Sequence, residues 1–75
     1  MEPHRIEQDG TAYAVAFERT SDGWVARIRR ESDGATHVVA FADGVGYAAD
    51  DARASLIAGC EAAVGRLPWA PRTKH

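Results

Sequence analysis

Three histidines, one cysteine and two adjacent aspartates stand out among the side chains of this sequence that could bind a metal, move a proton or act as a nucleophile. His4 and His75 lie near the two ends and His37 between them, so no two stand at the short spacing of a metal site. His37 opens an apolar run, where a half-buried histidine serves packing far more often than catalysis. Cys60 falls on an apolar stripe and reads as a small core residue, because a reactive thiolate needs exposure and a basic neighbour. Asp50 and Asp51 are neighbours in sequence, and neighbouring helix positions do not share a face. They suit the positive end of a helix dipole better than a shared ligand. Gly44 and Gly46 fall short of a phosphate-cradling loop, and no serine elbow or zinc motif occurs. The expectation is no cofactor, no metal and no catalytic dyad, hence not an enzyme.

Arginine is the remaining chemistry. In "GWVARIRRESDGATHVVAF", Gly23 to Phe41, Arg27 and Arg29 alternate with Ala26 and Ile28, which sends both guanidinium groups to one side of a strand. The chain as a whole carries a net charge of −2, so it has no general attraction for nucleic acid or anionic lipid, and any such binding needs a local patch. No apolar stretch approaches the length of a membrane span. A single cysteine excludes an intramolecular disulfide, and Met-Glu-Pro-His-Arg does not look like an apolar export segment. These features fit a reducing, cytoplasmic setting. Eight arginines against one lysine, with fifteen alanines, suggest a GC-rich bacterial genome.

Seventy-five residues make one small domain of modest stability. Asp-Gly occurs at Asp9-Gly10, Asp22-Gly23, Asp33-Gly34 and Asp43-Gly44, and glycine in these pairs supplies the positive φ of tight reversals. Between these marks, Thr11 to Arg19, Trp24 to Arg30 and His37 to Phe41 alternate in size or polarity and are rich in aromatic and β-branched residues. They predict a three-stranded antiparallel meander. Residues 1–10 form an N-terminal arm or, through His4 to Gln8, a short fourth strand. After Gly46 the period becomes helical, with Ala49, Ala52, Leu56, Cys60, Ala63 and Leu67 on one side and Ile57 and Val64 widening the stripe. Asp50 and Asp51 then occupy the first turn and Arg66 the last, with Pro68 as the stop. Residues 68–75 read as a flexible tail. Trp69 within it is open to two roles, a partner-binding side chain or a cover for the core edge.

The fold class is therefore α+β, strands followed by one C-terminal helix. Parity sends Tyr13, Val15, Phe17, Trp24, Ala26, Ile28, Val39 and Phe41 beneath the helix. The opposite face collects Ala14, Ala16, Glu18, Val25, Arg27, Arg29, Val38 and Ala40. Small apolar residues dominate it, a composition that marks interfaces, and Arg27, Arg29 and Glu18 are expected at the rim of the patch. The first and third strands of the meander are expected as unblocked edges, a second route to pairing with another chain.

The stretch "YAVAFERTSDGWVARI", Tyr13 to Ile28, followed by "AADDARASLIAGCEAAV", Ala48 to Val64, resembles the HicB-like antitoxin family over roughly residues 11 to 67. That family pairs an aromatic, alternating strand and a Gly-aromatic start to the next with an acidic helix opening, here Asp50-Asp51-Ala52. Where the family has a short Pro-Gly-Cys segment this chain has a hairpin through Ser32-Asp33-Gly34, so no toxin-contact residue carries over. "WVARIR", Trp24 to Arg29, is similar to the middle strand of the ethylene-response-factor type of DNA-binding domain, which implies Arg27 and Arg29 facing nucleic acid. That family also needs arginines in the first strand, where this chain has Ala14, Ala16 and Glu18.

The expected function is a non-enzymatic protein-interaction or regulatory module, HicB-like in its most specific form. It binds a protein partner or itself through Ala14, Ala16, Val25, Arg27, Arg29, Val38 and Ala40, or through an edge strand. Nucleic-acid binding by the same arginines is the alternative.

Overall fold

The computed structural model describes residues 1–43 and 52–69. The chain runs through β1 (His4–Gln8), β2 (Thr11–Thr20), β3 (Gly23–Arg30), β4 (Thr36–Ala42) and α1 (Ala52–Val64). The strands form one antiparallel sheet in the order β1-β2-β3-β4, and α1 packs on one face of it. This is the α+β meander with a C-terminal helix that the alternation and the change of period imply.

His4 to Gln8 is a full strand, paired with β2 from His4↔Val15 to Gln8↔Thr11. Three forces order it. Asp9 and Gly10 both take positive φ, 51° and 76°, the conformation of a two-residue hairpin turn. Ile6 is buried in the core beside Tyr13. Finally, the helix holds both ends of the strand: Gln8 Nε2 donates to the Glu61 carbonyl at 2.8 Å, and Arg53 Nη1 donates to the Glu2 carbonyl at 2.6 Å. The first strand of the expected meander is consequently interior, and the sheet edges are β1 and β4.

Two other Asp-Gly pairs work differently from one another. Gly34 has φ 77° in the β3–β4 loop, where Asp33 Oδ1 also accepts from the Ala35 amide at 3.1 Å. Gly23 does not take positive φ. It is buried at the start of β3, where a Cβ would lie 2.0 Å from the Phe41 carbonyl oxygen, so close backbone approach excludes any larger residue. Gly44 lies outside the described residues.

The core sits between sheet and helix. Val15, Ala26 and Ile28 from the sheet and Leu56, Cys60 and Val64 from α1 are almost fully shielded, and Phe17, Val39, Phe41, Leu67 and Trp69 pack around them. Leu56, Cys60 and Val64 follow at intervals of four, one face of a helix. At Gly59 the helix has no side chain and the Phe41 ring occupies that space, since a Cβ there would come 2.7 Å from Phe41 Cε1.

The helix ends at Val64, before Arg66, so Arg66 is not in its last turn. The backbone amides of Arg66 and Leu67 both donate to the Ala63 carbonyl, at 2.8 and 3.1 Å, and the Trp69 indole Nε1 donates to the Val64 carbonyl at 2.9 Å. These bonds satisfy carbonyls that a helix end leaves free and turn the chain back over the sheet. Of the two roles open for Trp69, the one observed is that of core cover. Its ring lies 5.3 Å from Tyr13 and edge-on to His37 at 4.6 Å. Ala49, Asp50 and Asp51 lie outside the described residues, as does the tail from residue 70 onward.

Candidate functional site

Strand register assigns every large alternating side chain to a face. Val15↔Ile28, Phe17↔Ala26, Ala26↔Val39 and Trp24↔Phe41 pair on the helix side. Ala14↔Arg29, Ala16↔Arg27, Glu18↔Val25, Arg27↔Val38 and Val25↔Ala40 pair on the other. All seven residues singled out from sequence, Ala14, Ala16, Val25, Arg27, Arg29, Val38 and Ala40, are thus cross-strand neighbours on the face away from α1. Val38 is 59% exposed and, with Met1, is one of the exposed large apolar side chains among the described residues.

The arginines do not rim the patch. Because β3 lies between β2 and β4, Arg27 and Arg29 stand in the middle of the face and divide Ala14 and Ala16 from Val38 and Ala40. At Ala14 and Ala16 the side chains stop at Cβ, while those of Pro3, Arg27 and Arg29 beside them do not. A shallow, mostly apolar groove of about 300 Å³ results, lined by Pro3, Ala14, Ala16, Arg27, Arg29 and Thr36.

The charges on this face nearly balance. Arg5 lies 3.6 Å from Glu7 and 3.3 Å from Glu31, and Arg27 lies 3.5 Å from Glu18. All are solvent-exposed pairs, of a kind that contributes at most about 1 kcal/mol. Arg29 makes no hydrogen bond or ion pair among the described residues, and its guanidinium group lies over Gly34.

Arg30, one residue on, has the opposite environment. Parity places it on the helix side opposite Tyr13, and it is 6% exposed. Its Nε donates to Asp33 Oδ1 at 3.0 Å and its Nη2 to Asp33 Oδ2, a two-pronged pair that holds the guanidinium group more firmly charged against the desolvation of burial. The group also lies 5.2 Å from the Trp69 ring centre. Sequence reasoning passed over Arg30. The available signals were its parity with Ile28 and an aspartate three residues later.

His37 and Cys60 both lie on the covered side of the sheet. His37 faces the helix side against Trp69. Cys60 is buried, and desolvation, helped by the charge of Glu61, pushes its thiol up to about 11, well away from a reactive thiolate. Among the described residues no group of histidine, cysteine and carboxylate side chains is placed to hold a metal ion. No helix among the described residues is long and apolar enough to cross a membrane. No family model, curated protein or solved structure matches the chain.

Proposed function

We propose that this chain is a non-enzymatic protein-interaction module that binds through the open face of its sheet, with a regulatory role of the HicB-like kind as its most specific form. One observation carries the reading: the helix and Trp69 cover one face, while the other presents Ala14, Ala16, Val25, Val38 and Ala40 on both sides of Arg27 and Arg29. A sheet face meant only for water carries polar residues at most of its outward positions. Here polar groups occur as arginine and glutamate beside an apolar floor, the mixture that protein interfaces use.

Nucleic acid is the weaker partner for this face. Arg5, Arg27 and Arg29 share it with Glu7, Glu18 and Glu31, so the electrostatic contribution to phosphate binding is small. Arg29, which has no partner among the described residues, is the feature in its favour.

The test is affinity capture from the source cell with the tagged chain and with Ala16→Arg, which fills the groove without touching the core. The expected result is a protein partner retained by the first and lost by the second. Salt-sensitive binding of labelled DNA or RNA, lost in the double variant Arg27→Ala, Arg29→Ala, would replace protein by nucleic acid as the partner.

A further inference from the structure

We infer that the partner of this face is a second copy of the same chain, docked face to face about a two-fold axis running along the strands between β2 and β3. The inference rests on the interaction-module reading and adds the identity and geometry of the partner.

Shape is the first reason. On the open face β2 is a trough floored by Ala14 and Ala16, and the adjacent strand β3 is a ridge made by Arg27 and Arg29. Trough and ridge are parallel, of equal length and one strand apart. A two-fold axis between them carries each strand onto the position of the other, so Arg29 of one copy lies over Ala14 of its mate and Arg27 over Ala16. Each ridge fills the other's trough, and the contact closes at two copies.

Charge is the second reason. An arginine stem covers an alanine floor with its methylenes while the guanidinium group reaches outward. Arg27 of the second copy then lies one side-chain row from Glu18, whose present link to Arg27 is an exposed contact at 3.5 Å. Arg29 has no partner of its own among the described residues to give up. The face holds arginines and glutamates together, so it complements itself and not a surface of a single sign.

Area is the third reason. Four strands about 4.8 Å apart and about seven residues long give a face of roughly 450 Å², and two such faces approach the ~1,000 Å² at which specific interfaces begin. The outer strands contribute, since Val38 on β4 is carried over the Pro3 end of β1 in the mate. A dimer of this size is reversible and tuned by concentration.

The experiment is analytical ultracentrifugation of the intact chain from about 1 µM to about 1 mM, the range in which a small interface of this kind associates. The expected result is a mass that rises from one chain to two, and an Ala16→Arg variant with an unchanged circular dichroism spectrum that stays at one. On the unaltered chain, the Ala14 and Ala16 methyl resonances shift with concentration while the outward amides of β4 gain no exchange protection. A dimer that survives Ala16→Arg and protects the β4 edge overturns the face-to-face geometry in favour of edge pairing. A chain that stays monomeric throughout overturns the second copy as partner; if it still captures another protein and Ala16→Arg loses it, the interaction-module reading stands, and if it captures nothing, both fall.

Discussion

The two faces of the sheet are built from the same strands and differ in what covers them. On the helix side, residues such as Val15, Ile28 and Leu56 are shielded almost completely, and even a buried charge there, Arg30, is matched by Asp33 and roofed by Trp69. On the open side alanines and valines stand among charged residues, and the ion pairs are long and wet. The covered face carries the stability of the domain, while the open face is free to change with little effect on folding. A chain this short has only about 4–11 kcal/mol of stability, so the contrast is measurable one residue at a time.

The largest effect is expected at Leu56. Leu56→Ala removes a fully buried side chain and leaves a cavity, costing about 4 kcal/mol and lowering the melting temperature by about 15 °C or more, read by thermal circular dichroism. A melting curve within a few degrees of the unaltered chain would show that the helix is not held by this face. Next is Trp69→Ala, which loses the ring packed against Tyr13 and edge-on to His37, the cover of Arg30 and the bond to the Val64 carbonyl. About 3 kcal/mol is expected in urea unfolding, with faster hydrogen exchange in the last turn of α1.

The Cys60 thiol sharpens the comparison through pH. Its folded value is raised, from 9.0 to about 11, so the folded state holds the proton more tightly than the unfolded state. Stability from this source is complete below pH 9 and is lost as pH climbs toward 11, by about 2–3 kcal/mol. Cys60→Ala is expected to flatten that slope in denaturant midpoints measured across the window; an unchanged slope would place the thiol in contact with water. The smallest effect belongs to the open face. Val38→Thr is expected to move stability by no more than about 0.5 kcal/mol, and a larger loss would mean that this face also carries the fold.

Much of this contrast was legible beforehand. Alternation from Tyr13 to Ile28 and from Val38 to Phe41 fixed which side chains share a face, because a strand turns each successive residue over whatever surrounds it. The stripe Leu56, Cys60, Val64 did the same for the helix. The site residues were legible to the same degree, as members of one face, but their arrangement was not. Arg27 and Arg29 divide the alanines of β2 from Val38 and Ala40 because β3 is hydrogen-bonded on both sides, a matter of pairing order.

By itself, then, the sequence determined the turns at Asp9-Gly10 and Asp33-Gly34, the period of each element and the parity of each side chain, since these depend on residues within one or two turns of one another. Tertiary structure decided the rest. His4 to Gln8 became a strand because Ile6 found the core and Arg53 and Gln8 tied its ends to the helix; α1 stopped at Val64 because Trp69 found Tyr13, His37 and a free carbonyl. Gly23 is required by a backbone that approaches it from Phe41, eighteen residues later in the chain. Such contacts join segments that local propensity treats as independent, so they exist only once the packed layers bring them together.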